Sequence, residues 1–298
     1  MRDTDQPIAY MQRTRGYYLA LGYGAPYIWA RFPDVPFTTL AKPLADCTVA
    51  VVTTAAPYQP ERGDQGPGAP YNAAAKFYEV YAASSAETPD LRISHIAIDR
   101  EHTTAEDMGS YFPLAALKDA ARAGKIGRVA DHFFGLPTNR SKRTTADVDG
   151  PALLALAREN DVDAAVLVPN CPVCHQSVAI AARILERAGI ATVIMGCAKD
   201  IIEHVGVPRF LFSDFPLGNA AGRPNDPASQ TATLAMALSM LEAADRPRST
   251  QQSHLKWIGA AGWKDDYSNA AKLTPEEIAH RKQAFDEGKA TAKQVLRR

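Results

Sequence analysis

Cys171-Pro-Val-Cys-His-Gln-Ser177 places two thiols three residues apart, with an imidazole beside the second. Pro172 suits the first position of a helix, where a missing N–H costs nothing. Cys171 is therefore expected to be the N-cap and Cys174 the third helical residue. A thiolate there faces unpaired N–H groups and the positive end of the helix dipole, and both lower a cysteine pKa. The spacing thus predicts one exposed, activated thiol with a second within reach. Four chemistries fit such a turn. In the first, a redox or nucleophilic dithiol, Cys171 attacks, Cys174 resolves, and an external thiol reduces the oxidised pair. In the second, Cys171, Cys174 and His175 bind a metal, although zinc asks for a fourth ligand that only Cys197 or a distant histidine supplies. Covalent haem also uses Cys-x-x-Cys-His, but needs export and a loop-wrapped pocket, whereas this motif follows a buried strand. The fourth is plain packing of small sulfur side chains.

The elements that must position this turn are legible on both sides of it. An apolar run of strand length inside Asp163–Asn170 stops at Pro169-Asn170. Beyond the cysteines, Val178, Ile180, Ala181, Ile184, Leu185 and Ala188 fall close to helical spacing. From residue 150 onward the order is helix, strand, helix, strand, helix, strand, helix. That alternation predicts an α/β fold with a parallel, Rossmann-like sheet, helices on both faces, and ligands at the carboxyl ends of the strands. Thr48–Thr53 is a β-branched strand ending at Thr53-Thr54, much as the later strand ends at Cys171. Two related halves around one cleft are therefore expected, 41–150 and 151–245. An N-terminal arm (1–40) and a C-terminal helical arm (246–298) flank them, the latter with a helix over Pro275–Lys289 that Thr274 caps and Glu277 boxes. Leu91–Asp99 alternates like a strand that delivers His95 and Asp99 near its end, and the aromatic content of Phe77–Tyr81 points to another.

Across its 298 residues the chain balances 33 Lys and Arg against 33 Asp and Glu, so no global field favours nucleic acid or an anionic membrane. Hydrophobic content of 46% with 22% charged residues is that of a soluble globular protein. Cys47, Cys171, Cys174 and Cys197 are too few for a disulfide scaffold and point to reduced, functional thiols in the cytoplasm. Tyr17–Ala30 is aromatic and apolar but broken by Gly22 and Gly24. It is expected to be an arm docked on the body or on a second subunit, not a membrane span or a signal peptide.

The motif at 171–177, taken with Ala198-Lys-Asp200 and Asp214-Phe-Pro-Leu-Gly-Asn219, resembles the selenoprotein B family of glycine, sarcosine, betaine and D-proline reductases, most of all its D-proline reductase branch. The match runs from Lys42-Pro-Leu44 and Val49-Ala-Val-Val-Thr-Thr-Ala55, through Ile93-Ser-His95, to about Pro224. The resemblance implies that Cys171 stands where the family commonly carries selenocysteine, the nucleophile in reductive C–N bond cleavage. It implies that Cys174 is the partner thiol that releases the adduct. Two departures matter. Sulfur replaces selenium at 171, and nothing in this chain generates the pyruvoyl-bearing subunit that activates the amino group in D-proline reductase. Another small substrate is implied.

The expected activity is thus a thiol-dependent reductase or lyase that breaks a C–N or C–S bond of a small carboxylate- or amide-bearing molecule. A desulfurase variant, in which Cys171 takes sulfur from a thione, fits the same dithiol. Cys171, Cys174 and His175 are the expected catalytic set, His175 moving protons. Gln176 and Ser177 at the helix start are expected to donate to a carboxylate, and Thr53 and Thr54 to offer hydroxyls. His95, Asp99 and Asp214 are expected to supply the acid/base and amine-binding side, with Asp200 weighed beside Asp214. Arg140 and Arg143 are weaker candidates for a carboxylate clamp. No metal or resident cofactor is expected, only an external dithiol reductant. A reductase partner subunit or a thioredoxin-like protein would serve, and the arms suggest a homo-oligomer. The competing readings are a non-catalytic binding or assembly subunit and a Cys/His metal-binding protein.

Overall fold

The structure is a computed structural model that describes residues 6–25, 27–93, 95, 97–138, 141–259 and 261–295. In chain order the strands are β1 (Thr48–Thr53), β2 (Ala56–Pro57), β3 (Tyr81–Ser84), β4 (Leu91–Arg92), β5 (Arg128–Val129), β6 (His132–Gly135), β7 (Ala164–Val168), β8 (Ala191–Gly196), β9 (Arg209–Phe212) and β10 (Ser249–Gln252). The helices are α1 (Tyr10–Ala20), α2 (Leu114–Arg122), α3 (Lys142–Thr144), α4 (Gly150–Glu159), α5 (Pro172–Arg187), α6 (Lys199–Val205), α7 (Pro227–Ala243) and α8 (Pro275–Val295). No helix among the described residues is long and apolar enough to cross a membrane.

One sheet carries the order β10-β9-β8-β7-β1-β6-β3, with β5 pairing β1 just ahead of β6. Every pair in it is parallel except β3 on β6. This is the expected α/β architecture, and strands from 41–150 and from 151–245 share the single sheet. From β1 the chain winds outward to β6, returns to the other side of β1 as β7, and continues to β10. The topological switch point, where open α/β sheets bind ligands, thus lies between β1 and β7.

Side-chain alternation along the central strands explains why the sheet is covered on both faces. Val49, Val51, Val166, Val168, Val193 and Met195 pack with Leu114 and Leu117 of α2 and Leu234 of α7. Ala50, Val52, Ala165, Leu167 and Ile194 point the other way, onto Leu153 of α4 and Val178 and Leu185 of α5. Both layers exclude water almost completely, as parallel strands require.

The structure departs from expectation at three places. Leu91–Asp99 forms only the two-residue β4, paired antiparallel with β2; beyond it the backbone bonds to loops, as where Asp99 N donates to Leu217 O at 3.1 Å. The strand expected over Phe77–Tyr81 begins only at Tyr81. β10 lies in the stretch expected to be a helical arm. Its sequence, Ser-Thr-Gln-Gln, is polar because it is an exposed sheet edge, and so it carries no apolar signal. The cap of α8 is as expected: Thr274 N donates to Glu277 Oε2 (2.8 Å) and Glu277 N to Thr274 Oγ1 (3.2 Å).

The N-terminal extension is clamped to the body by buried charge. Arg209 and Glu186 form a fully buried ion pair at 2.9 Å. Arg209 also donates to Thr38 O (2.6 Å), while the Glu186 carboxylate accepts from Thr38 N. Further toward the N-terminus, Met11 N donates to Asp200 Oδ2 (2.8 Å), which fixes the start of α1 and accounts for Asp200. Removing one partner of a buried pair leaves the other charge stranded. Arg209→Met is expected to lower stability by about 3–5 kcal/mol and to loosen residues 30–38 toward protease, as measured by urea denaturation and limited proteolysis. Arg209→Met combined with Glu186→Leu should recover part of that loss.

Candidate functional site

At the end of β7 the chain turns through Pro169 and Asn170, and Asn170 donates from both its backbone N and its Nδ2 to Thr54 Oγ1 (3.1 and 3.2 Å). The ends of β1 and β7 are thereby tied together. Cys171 follows in extended conformation as the N-cap of α5, its Sγ accepting from Cys174 N at 3.2 Å. Pro172 occupies the first helical position, as the sequence predicted. Cys171 and Cys174 are joined in a disulfide, with Cα atoms 5.0 Å apart. The thiol expected to be exposed is not: Cys171 is only 5% accessible and Cys174 fully buried. The cap pulls the sulfur in toward the helix start, so Cys171 is reached only through a cavity.

That cavity measures about 640 Å³. Cys171, Pro172, Val173, Thr138, His95 and Asp99 are among the residues that line it. Thr138 Oγ1 donates to Cys174 Sγ at 3.2 Å. A ring nitrogen of His95 and the sulfurs of Cys171 and Cys174 all lie within 4.8 Å of one another. The imidazole beside the sulfurs is therefore His95, and the metal-type donor set weighed for His175 contains His95 instead. The two arms complete the lining with Tyr17, Tyr18, Tyr23 and Tyr27 from one and Arg281, Phe285 and Lys289 of α8 from the other, Phe285 packing against Tyr18 and Tyr23.

His175 does not line this space. It is fully buried, its Nδ1 is 2.8 Å from Cys171 O, and its Nε2 accepts from the amides of Cys197 (3.0 Å) and Ala198 (3.1 Å). Those partners fix the neutral tautomer with the proton on Nδ1. Burial pushes the pKa of the ring down to about 4. Gln176 also faces elsewhere, accepting from Ala30 N (2.6 Å) and donating to Tyr27 OH (2.7 Å), which seats the N-terminal arm. Ser177 Oγ bonds back to Val173 O (3.3 Å) within the helix. Thr53 Oγ1 accepts from Ala55 N (3.1 Å), and Thr54 serves Asn170. Asp214 pairs with Lys264, away from the cavity wall. Arg143 is exposed and outside the lining, and Arg140 lies outside the described residues. Cys197 is buried, which pushes its thiol well up, and it does not face the cavity.

Asp99 does line the site. It is buried 2.9 Å from His102 Nδ1, and the other nitrogen of His102 lies 3.3 Å from Asp266. Burial raises the Asp99 pKa, with the imidazole acting against that shift. Thr138, His102 and the aromatic arm residues carry no motif. Only the density of tyrosines in Tyr17–Ala30 marks the arm as unusual in sequence.

Neither a protein-family model nor, at significant similarity, a solved structure matches the chain. Among curated proteins, it is 28% identical over 210 residues to the D-proline reductase subunit gamma of Acetoanaerobium sticklandii, covering 70% of this chain and 84% of that subunit. The chain is a homologue of these reductase subunits. It is also 26% identical over 195 residues to a glycine reductase complex component B subunit gamma from Carboxydothermus hydrogenoformans. A sarcosine reductase complex component B subunit beta from Peptoclostridium acidaminophilum matches at 25% over 202 residues. These last two alignments span 64% of this chain but only 44% of each relative's length. The similarity to these reductase subunits thus extends over most of the chain.

The neutral ring of His175 makes stability depend on pH. Its folded pKa, about 4, lies below the ordinary 6.5, so the unfolded chain binds the extra proton first. The contribution is complete above pH 6.5 and is lost as pH falls toward 4. The loss is on the order of 3 kcal/mol. His175→Gln should be less stable at pH 7 yet show a shallower decline across this window in denaturant titrations.

Proposed function

We propose that the chain is a thiol-dependent reductase or lyase that cleaves a C–N or C–S bond of a small carboxylate- or amide-bearing substrate. The observation that supports this is the Cys171–Cys174 pair at the N-terminus of α5, with His95 within 4.8 Å and the cavity in front of it. In the reduced protein the Cys171 thiolate attacks the substrate carbon and displaces nitrogen or sulfur, which leaves with a proton, forming a thioether at Sγ. The Cys174 thiolate then attacks Cys171 Sγ. The S–C bond breaks, the carbon departs with the electron pair and takes a proton, and the disulfide forms. The substrate gains two electrons and two protons, the dithiol loses them, and an external dithiol restores it. With a cyclic thioamide, Cys171 attacks the exocyclic sulfur: the carbon takes one C–S electron pair and a proton, the ring N–H passes its proton to the sulfur as a C=N bond replaces the other C–S bond, and a persulfide is left on Cys171. Cys174 then releases hydrosulfide from the persulfide.

His95 is the group placed to move protons, and the Thr138 hydroxyl favours a thiolate at Cys174 by donating to it. Because the relatives are named as subunits of D-proline, glycine and sarcosine reductases, we extend the proposal to a partner subunit or thioredoxin-like reductant. A second reading, a non-catalytic assembly subunit, is favoured by the near-complete burial of Cys171.

Iodoacetamide alkylation of the reduced protein, followed against pH, separates the two. Catalysis predicts that Cys171 reacts with an apparent pKa below the ordinary value of about 8.5, and that Cys171→Ser abolishes this reaction while Cys174→Ser retains it. A thiol that titrates at about 8.5, or that forms no adduct, leaves only the assembly role.

A further inference from the structure

The cavity is much larger than the amino acids in the relatives' names require. At about 640 Å³ it falls within the roughly 300–1,000 Å³ of pockets that enclose drug-sized molecules. Proline, glycine or sarcosine would leave most of it to water. Its walls are aromatic: Tyr18 and Tyr23 each meet Phe285 edge to face, with ring centroids 5.4 and 5.1 Å apart, and Tyr17 meets Tyr18 in the same way. All four of these rings also line the cavity, and aromatic surface of this kind suits another flat ring.

The charge that α8 brings to the lining is positive. Arg281 and Lys289 line it from α8. Lys289 sits over the rings of Tyr23 and Phe285 at 5.1 and 5.2 Å. Arg281, half-buried, has no ion-pair partner among the described residues. Of the two acids on the lining, Asp99 is already engaged by His102 and Glu101 is exposed to solvent. A planar guanidinium on an aromatic wall is the ordinary recognition element for a carboxylate.

We infer that the cavity binds a flat aromatic or heteroaromatic molecule carrying a carboxylate, with its ring among the tyrosines and Phe285 and its anion at Arg281. The inference rests on the proposed thiol chemistry only in assigning the opposite end of the molecule to Cys171. Tyr17, Tyr18, Tyr23 and Tyr27, with α8, are then specificity elements.

The test is calorimetric titration of the full-length oxidised protein, in which the disulfide prevents turnover. The probes are indole-3-propionate, indole-3-propionamide, cyclohexanepropionate, D-proline and inorganic phosphate. Indole-3-propionate is expected to bind about tenfold or more tightly than each of the others. Arg281→Met, on a helix with a single buried residue, should weaken the carboxylate about tenfold and leave the amide unchanged. Failure of indole-3-propionate to bind, binding of D-proline or phosphate at equal strength, or indifference to Arg281→Met overturns the inference. The two ideas fail separately: Cys171 alkylation is untouched if the ligand class is wrong, and selective binding persists in Cys171→Ser if the thiol chemistry is wrong.

Discussion

His175 donates from Nδ1 to the carbonyl of Cys171 and accepts at Nε2 from the amides of Cys197 and Ala198, so one neutral ring joins the first turn of α5 to the turn after β8. An N-cap residue needs a fixed extended backbone for its side chain to reach the free amides of the helix, and this ring supplies the anchor. The fit leaves no slack: a Cβ on Gly196 would lie 2.9 Å from Nε2. On the other flank Asn170 is tied to Thr54, so the cysteine turn is pinned from both neighbouring strands. The Cys171 sulfur is thereby delivered to a cavity wall, with Cys174 bonded behind it, from rigid elements, which is where precise placement is attainable.

The terminal arms change what the site is. The sheet and its helices provide the dithiol, but the sheet core alone would leave Cys171 beside an open cleft. Arm residues Tyr17 to Tyr27 and α8 turn that cleft into a chamber, and each arm is held by its own contacts. Buried Glu186 and Arg209 hold Thr38, Gln176 holds Ala30 and Tyr27, and Phe285 packs against Tyr18 and Tyr23. Residues at the start of α5 thus divide the work: Cys171 faces the chamber with Cys174 bonded behind it, His175 braces the turn, and Gln176 seats the N-terminal arm.

How far the sequence reveals this follows from the kind of force involved. The α/β alternation, the N-cap at Cys171 and the capping box at Thr274 were legible because they arise from local periodicity and local hydrogen bonding. β10 was not, since a polar edge strand is specified by its neighbour β9 and not by its own residues. Nor could spacing show that His175 turns inward while His95, 76 positions before Cys171, comes to the sulfurs. Neighbours on a helix point in different directions, and which one meets the cavity depends on packing from β8. Asp214, Thr53 and Thr54 show the same limit, because a polar residue after a strand serves backbone or a salt bridge as readily as a ligand.

The chamber walls lie far from the cysteines in sequence, on either side of them, with Tyr17 to Tyr27 before and Arg281 to Lys289 well after. During synthesis the sulfurs therefore emerge long before α8. Roughly a hundred residues intervene, which takes on the order of ten seconds at about 5–20 residues per second. For that interval Arg281, Phe285 and Lys289 are missing from the lining of the cavity that Cys171 faces. A truncation that stops short of α8 would remove that part of the lining permanently.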